Sequence, residues 1–338
     1  MKKLVLLIII MCLLGCEPKK EEVTLQSLGY SEDDVLLIES FPQEIIDVFY
    51  IEYNEKLLSL IHTNGFDYHN FDEYIKYMDS LSNEKIVKLV NENIVNENNI
   101  SFIIDIYNNA YYIDSNEDLY LKYINDYDNP RKLIEIVNTR RYLDYFEDII
   151  TTDLSKNYLM LVNKYYQLPS DYEPDDLVQI DAHYGRGQTR KEVYEAYKAL
   201  QDEANDLGYY FTVCSAYRSY NYQDGLYNKY LSEDPGGREV VDTYSARPGH
   251  SEHQSGLCLD LYDSVYGMDD FGKSEGSKWL DLNCYKYGFI IRYTEEKESI
   301  TGYMAEPWQI RYVGSKEIAK DIMERGITFD EYYACFVE

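Results

Sequence analysis

Between residues 31 and 150, apolar residues recur at helical spacing, and past that stretch the pattern changes. Ile45, Phe49, Tyr53, Leu57, Leu60 and Ile61 form one such run; Tyr74, Ile75, Met78 and Leu81 form another, and Ile86, Leu89 and Val90 a third. Ser31-Glu32-Asp33-Asp34 reads as a capping box ahead of them. Leu168-Pro169-Ser170-Asp171-Tyr172-Glu173-Pro174 then interrupts regular structure with two prolines, which puts a domain boundary within 150–170. Beyond it, Thr189-Arg190-Lys191-Glu192 predicts the capped start of an amphipathic helix. Val193, Ala196, Tyr197, Leu200, Ala204 and Leu207 would face inward and Gly208 would close it. Strand-like segments follow at 210–217, 256–262, 289–293 and 308–313. Helix and strand signals mix without a regular alternation, so the expected class is α+β.

The N-terminus bears on compartment. Lys2 and Lys3 precede an apolar run from Leu4 to Leu14, shorter than the roughly 20 residues of a membrane span. The run ends in Leu13-Leu14-Gly15-Cys16, which resembles a bacterial lipobox and implies cleavage before Cys16 with lipid on its thiol. The expected organisation is a signal peptide over 1–15, a tether over 16–30, a helical spacer over 31–150 and a second domain over 151–338. With 32 basic and 61 acidic residues, the chain repels nucleic acid and anionic headgroups. Cys214, Cys258, Cys284 and Cys335 show no disulfide framework or paired metal spacing, and Cys214 and Cys258 read as small buried hydrophobes. His62 and His69 read as structural or surface residues.

Three segments carry chemistry: Ser215-Ala216-Tyr217-Arg218-Ser219-Tyr220; Ser245-Ala246-Arg247-Pro248-Gly249-His250-Ser251-Glu252-His253-Gln254, running on to Asp260; and Thr301-Gly302-Tyr303 with Glu306-Pro307-Trp308-Gln309-Ile310-Arg311-Tyr312-Val313-Gly314. An imidazole and a carboxylate seven positions apart, His253 and Asp260, are both proper zinc ligands. Leu257, Leu259 and Leu261 alternate with Cys258, Asp260 and Tyr262, so a strand there would bury the leucines on one face and present Asp260 on the other.

Taken together and in this order, the segments resemble the VanY-like zinc D-alanyl-D-alanine carboxypeptidases over roughly residues 155–315. The resemblance implies a C-terminal zinc-carboxypeptidase-like domain with a small antiparallel sheet and flanking helices, after an all-helical N-terminal region. It implies His253 and Asp260 as metal ligands and Glu306 as general base. Arg218 would hold the substrate's terminal carboxylate, for which a guanidinium fork is suited, and Gln223 and Ser251 would line the site. His250 would be structural. The cofactor implied is Zn2+ and the substrate the peptidoglycan stem peptide, met at the outer face of the cytoplasmic membrane.

One position departs from the family pattern. Where the third zinc-ligating His is expected, this chain has Gln309. An amide oxygen lies outside the usual zinc ligands. Either Gln309 ligates weakly through Oε1, or Cys258, His183 or His250 substitutes, or the site binds stem peptides without cleaving them.

Overall fold

The N-terminal helices are short. A computed structural model describes residues 23–268 and 270–338; the apolar run and Cys16 lie outside the described residues. Among those residues, no helix is long and apolar enough to cross a membrane. Helices α1 (Glu32–Ile38), α2 (Gln43–Phe49), α3 (Glu55–Ile61), α4 (Phe71–Tyr77) and α5 (Asn83–Asn91) follow one another. The Ser31–Asp34 capping box forms as expected. The run from Ile45 to Ile61 is two helices rather than one. The Asn54 side chain accepts the Leu57 N–H and starts α3 afresh, and Tyr53 is left exposed in the gap. Leu25 and Tyr30 are buried in the same apolar core as Phe49, Leu60 and Tyr74, so the fold begins inside the expected tether.

The chain divides into two compact units after Ile104, within α6 (Ile100–Tyr107), rather than near residue 150. Helices α7 (Glu117–Lys122) and α8 (Pro130–Asn138) belong with the C-terminal unit. There the Arg131 guanidinium donates to Glu331 at 2.9 Å, and Asn138 Nδ2 lies 3.6 Å from Cys335 Sγ. Helical periodicity marks a face to be buried but not the element that buries it.

A local motif occurs once in each unit. Asn91 Oδ1 accepts from Asn70 Nδ2 at 3.1 Å and from the Tyr74 hydroxyl, while Asn91 Nδ2 donates to Gly65 O at 2.9 Å. Asn138 repeats this with Asn116 at 3.0 Å, the Tyr120 hydroxyl and Tyr111 O at 2.8 Å. These clasps mark an internal repeat, visible also in Lys85-Ile86-Val87-Lys88-Leu89-Val90-Asn91 against Lys132-Leu133-Ile134-Glu135-Ile136-Val137-Asn138.

The C-terminal unit is α+β. Two small pairings, β1 (Ile150–Thr151) with β2 (Tyr166–Gln167) and β3 (Leu177–Gln179) with β4 (Gln188–Arg190), precede the main sheet. That sheet contains β5 (Phe211–Ser215), β6 (Cys258–Asp263), β7 (Phe289–Ile291) and β8 (Gln309–Tyr312), antiparallel in the order β5-β6-β8-β7. All four predicted strands are present. Helix α9 (Lys191–Asp206) buries Val193, Tyr197, Leu200 and Ala204 against it, with Gly208 at φ +87° just past its end, while Leu207 is exposed. The expected capping box at Thr189 does not form. Thr189 is on β4 and its hydroxyl donates to Gly256 O at 2.9 Å, so Arg190 stands at the helix start without a side-chain cap. Helices α10 (Tyr220–Glu233), α11 (Gly237–Tyr244), α12 (Glu275–Asn283), α13 (Lys316–Arg325) and α14 (Phe329–Phe336) also belong to this unit.

Candidate active site

The three motifs meet at one end of the main sheet. Arg218 follows β5 in the short loop that Ser219 ends by capping α10. His253 sits on a tight turn, Glu252–Ser255, that leads into β6. Gly256 ends that turn at φ +68°, and a Cβ there would press on Arg190 Cγ at 3.0 Å, so the turn needs glycine. Asp260 lies on β6 directly opposite Gln309 on β8. A cavity of about 400 Å³ is lined by Arg218, Gln223, Ser251, His253, Asp260, Glu306 and Gln309, with Tyr293, Tyr303 and Trp308 among its other walls. Every site residue expected from the sequence within the described residues is therefore brought to one place.

Backbone bonds lock the first two motifs together. His253 Nδ1 donates to Ala216 O at 2.6 Å, and Arg218 N donates to His253 O at 3.2 Å. With Nδ1 donating to a carbonyl, Nε2 is the ring nitrogen that faces Asp260 Oδ2, 3.2 Å away. The same oxygen accepts from Arg218 Nη2 at 2.7 Å, while Asp260 Oδ1 is buried without a partner among the described residues. Burial works to raise the Asp260 carboxyl, but the charges of His253 and Arg218 beside it win and hold it below the usual carboxylate range.

Glu306 stands across the cavity. Its N–H donates to Tyr293 O at 2.9 Å, while its carboxylate has no hydrogen-bond partner among the described residues. Burial, and then the Asp260 charge, push its carboxyl up to about 8; a cation bound nearby would pull it back down. Arg218 spends Nε and Nη2 on Ser215 Oγ and Asp260, which leaves Nη1, among the described residues, as the free arm of its fork. Gln223 donates to Ala246 O at 2.8 Å and keeps a buried, unpartnered Oε1.

None of the suggested substitutes for the third ligand lines the cavity. His250 Nδ1 bonds Asn163 O at 2.7 Å and its ring meets Phe146 edge-on, which fits its expected structural role. His183 is on an exposed turn. Cys258, on the Asp260 face of β6, is fully buried, and burial pushes its thiol well above the usual range. No disulfide pairs the four cysteines within the described residues.

Sequence reasoning passed over the wall behind the site. Glu252 Oε1 accepts from Arg292 Nε at 2.8 Å, and Arg311 Nη1 lies equally close without hydrogen-bond alignment. Arg292 Nη1 donates to Asp330 Oδ2 at 2.6 Å. Arg292 follows the apolar strand Phe289–Ile291, and Arg311 lies between Ile310 and Tyr312 on β8. A charge in such a place must find a buried partner, and that was the available signal.

A family model described as VanY, D-alanyl-D-alanine carboxypeptidase, matches residues 186–315. YodJ of Bacillus subtilis (strain 168), provisionally named a carboxypeptidase, is 41% identical over 204 residues, covering 56% of this chain and 74% of that protein. The chain belongs to the VanY carboxypeptidase family. A D-alanyl-D-alanine carboxypeptidase of Enterococcus faecium is 31% identical over 216 residues, covering 60% of this chain and 66% of its own length. Among solved structures, that of the LD-carboxypeptidase LdcB, which concerns peptidoglycan recognition, is 38% identical with a TM-score of 0.51, covering 56% of this chain and 91% of LdcB. This VanY-family chain is thus an enzyme of the carboxypeptidase class, with the α+β fold expected of it.

Proposed function

We propose that this enzyme is a metal-dependent carboxypeptidase that removes the terminal D-Ala from peptidoglycan stem peptides. The observation that carries the reading is the convergence of an imidazole, a buried carboxylate with a free oxygen, an unpaired carboxylate and a guanidinium on one cavity. His253 Nε2, Asp260 Oδ1 and the Gln309 amide would hold the ion; two of these are good zinc ligands and the third is weak. Zn2+ bound there supplies Lewis acidity toward the scissile carbonyl and lowers the pKa of water. Glu306 accepts the proton of the attacking water on its free carboxylate and passes it to the leaving amine. The free Nη1 of Arg218, an NH2 group with two N–H donors, would meet the substrate's terminal carboxylate, since Nε and Nη2 are already engaged. Gln223 Oε1 and Ser251 offer further polar contacts. Lipid on Cys16 would hold the enzyme at the outer face of the membrane, beside its substrate.

A second reading is a stem-peptide-binding lipoprotein with impaired turnover, favoured by the neutral amide at position 309. D-Ala release from a peptide ending in D-Ala-D-Ala, followed with metal content, separates the two. The enzyme reading expects release that falls roughly 10²- to 10⁴-fold in Glu306→Ala. No release and no metal in the natural protein, with both gained in Gln309→His, would establish the binder.

A further inference from the structure

The ligand atoms at this cavity also bear on which ion it takes. Resting on the metal-dependent reading above, we propose that the His253–Asp260–Gln309 cluster is an oxygen-rich site with relaxed selectivity. It binds Mn2+, and hard divalent cations like it, nearly as well as Zn2+, and Gln309 is the residue that sets this preference.

The case begins with what is free to ligate. The His253 ring is held through Nδ1 by the Ala216 carbonyl, so it offers Nε2 alone. Asp260 Oδ2 is shared by Arg218 and His253, at 2.7 and 3.2 Å, while Oδ1 is buried and has no hydrogen-bond partner among the described residues. Leaving a carboxylate oxygen so placed is costly unless a cation or proton meets it. Gln309, only 4% exposed and opposite Asp260 in the sheet register, has an amide without a hydrogen-bond partner among the described residues. Among the described residues, no further His or Cys lines this cavity.

The cluster itself therefore offers one nitrogen and two oxygens, one of them neutral, and the other carboxylates on the cavity wall, Glu306 and Glu252, add only oxygen. Imidazole and thiolate favour zinc and its neighbours, whereas carboxylate, carbonyl and water oxygens suit Mn2+, Mg2+ and Ca2+. An amide in place of a third strong zinc ligand takes more from Zn2+ than from Mn2+. The Arg218 guanidinium draws charge from Asp260, which weakens every divalent ion alike and does not restore the preference. The ion loaded then follows supply.

Competition titrations against a fluorescent chelator, with ZnCl2 and MnCl2 in turn, test this on the chelator-stripped natural protein, Gln309→His and His253→Ala, each checked for folding by circular dichroism. Loss of an outer-shell partner alone costs ~10–100-fold in affinity, so restoring an inner ligand should tighten zinc by more than ~100-fold. Manganese should tighten by less than ~10-fold, and His253→Ala should abolish both. Parallel tightening of both ions, or zinc already as tight in the natural protein as in Gln309→His, overturns the proposal. If only Gln309→His binds an ion, the proposal falls and the impaired-binder reading stands. If no variant binds either ion, the metal-dependent function falls with it.

Discussion

The helical unit ending at Ile104 and the sheet-bearing unit that follows it solve different problems. The first has an apolar core of Ile, Leu, Val, Phe and Tyr, braced by ring contacts such as Tyr30–Phe49 at 5.9 Å, with ion pairs such as Lys56–Asp79 at its surface. The second also has an apolar core, but behind its cavity lie Glu252, Arg292, Arg311 and Asp330, with side chains no more than 3% exposed. Two positive and two negative charges balance there. Arg292 N donates to Gln309 O at 3.1 Å, its neighbour Tyr293 accepts from Glu306 N, and its guanidinium reaches Glu252, next to His253. A helix core needs only apolar surface to hold its shape. A site whose side chains must point at one spot takes on buried charge, which specifies direction where apolar packing does not.

That contrast can be broken by removing one charge from each region. Glu252→Leu leaves two buried arginines short of their shared anion, and losing one partner of a buried pair costs about 3–5 kcal/mol. Trp279 and Trp308 both lie in the C-terminal unit and are the chain's two tryptophans, so urea unfolding followed by their fluorescence reads that unit. Lys56→Met, at an exposed pair, should leave the far-UV circular dichroism transition unmoved. Equal, small effects at both sites would mean the buried quartet has no special weight.

Acid should separate the regions next. Burial, the main cause, lowers His250 to about 4, so it is neutral in the fold, whereas an unfolded His protonates near 6.5. Between those values the unfolded chain binds the extra proton. The stability of the C-terminal unit therefore falls as pH drops from 6.5 toward 4, by at most about 3 kcal/mol from this group. His62 and His69 in the helical unit are exposed, beside Asp34 and Asp67. Tryptophan-monitored urea midpoints at pH 4.5 and 7 measure the drop. His250→Gln should flatten the pH dependence, and an unchanged slope would place the acid sensitivity elsewhere.

The site was legible in the sequence to a degree the fold around it was not. His253, Asp260, Glu306 and Arg218 stand in short motifs whose order along the chain carries the information, and the four strands of the main sheet alternate or run apolar as strands must. The unit boundary was not legible, because α7 and α8 have the same periodicity as the helices before them and differ only in what covers them. The break after Phe49 escaped notice because Tyr53 keeps the helical phase while lying outside any helix. The buried quartet was missed because its members come from four separate segments, and the need for a partner identifies no partner.

The smallest effect sharpens the comparison most, because one clasp is built in both regions. Asn91 and Asn138 each join a Tyr hydroxyl, an Asn side chain and a backbone carbonyl, but Asn91 is exposed and Asn138 is 8% exposed, against α14. In Asn91→Ala, water can replace part of what is lost, so the helical unit should lose about 1 kcal/mol, the net worth of such bonds. Tyr74 and Tyr120 both lack exposed surface, but Tyr74 loses an acceptor that stands at the surface, where water can follow, whereas in Asn138→Ala the Tyr120 hydroxyl loses an acceptor that is itself buried. An unsatisfied buried group adds its desolvation cost, so about 2–3 kcal/mol is expected in the C-terminal unit. Tyr120→Phe in the Asn138→Ala background removes the stranded hydroxyl and should recover part of that loss. If Asn91→Ala costs as much as Asn138→Ala, burial is not what separates the two clasps, and the repeat would be held by local geometry alone.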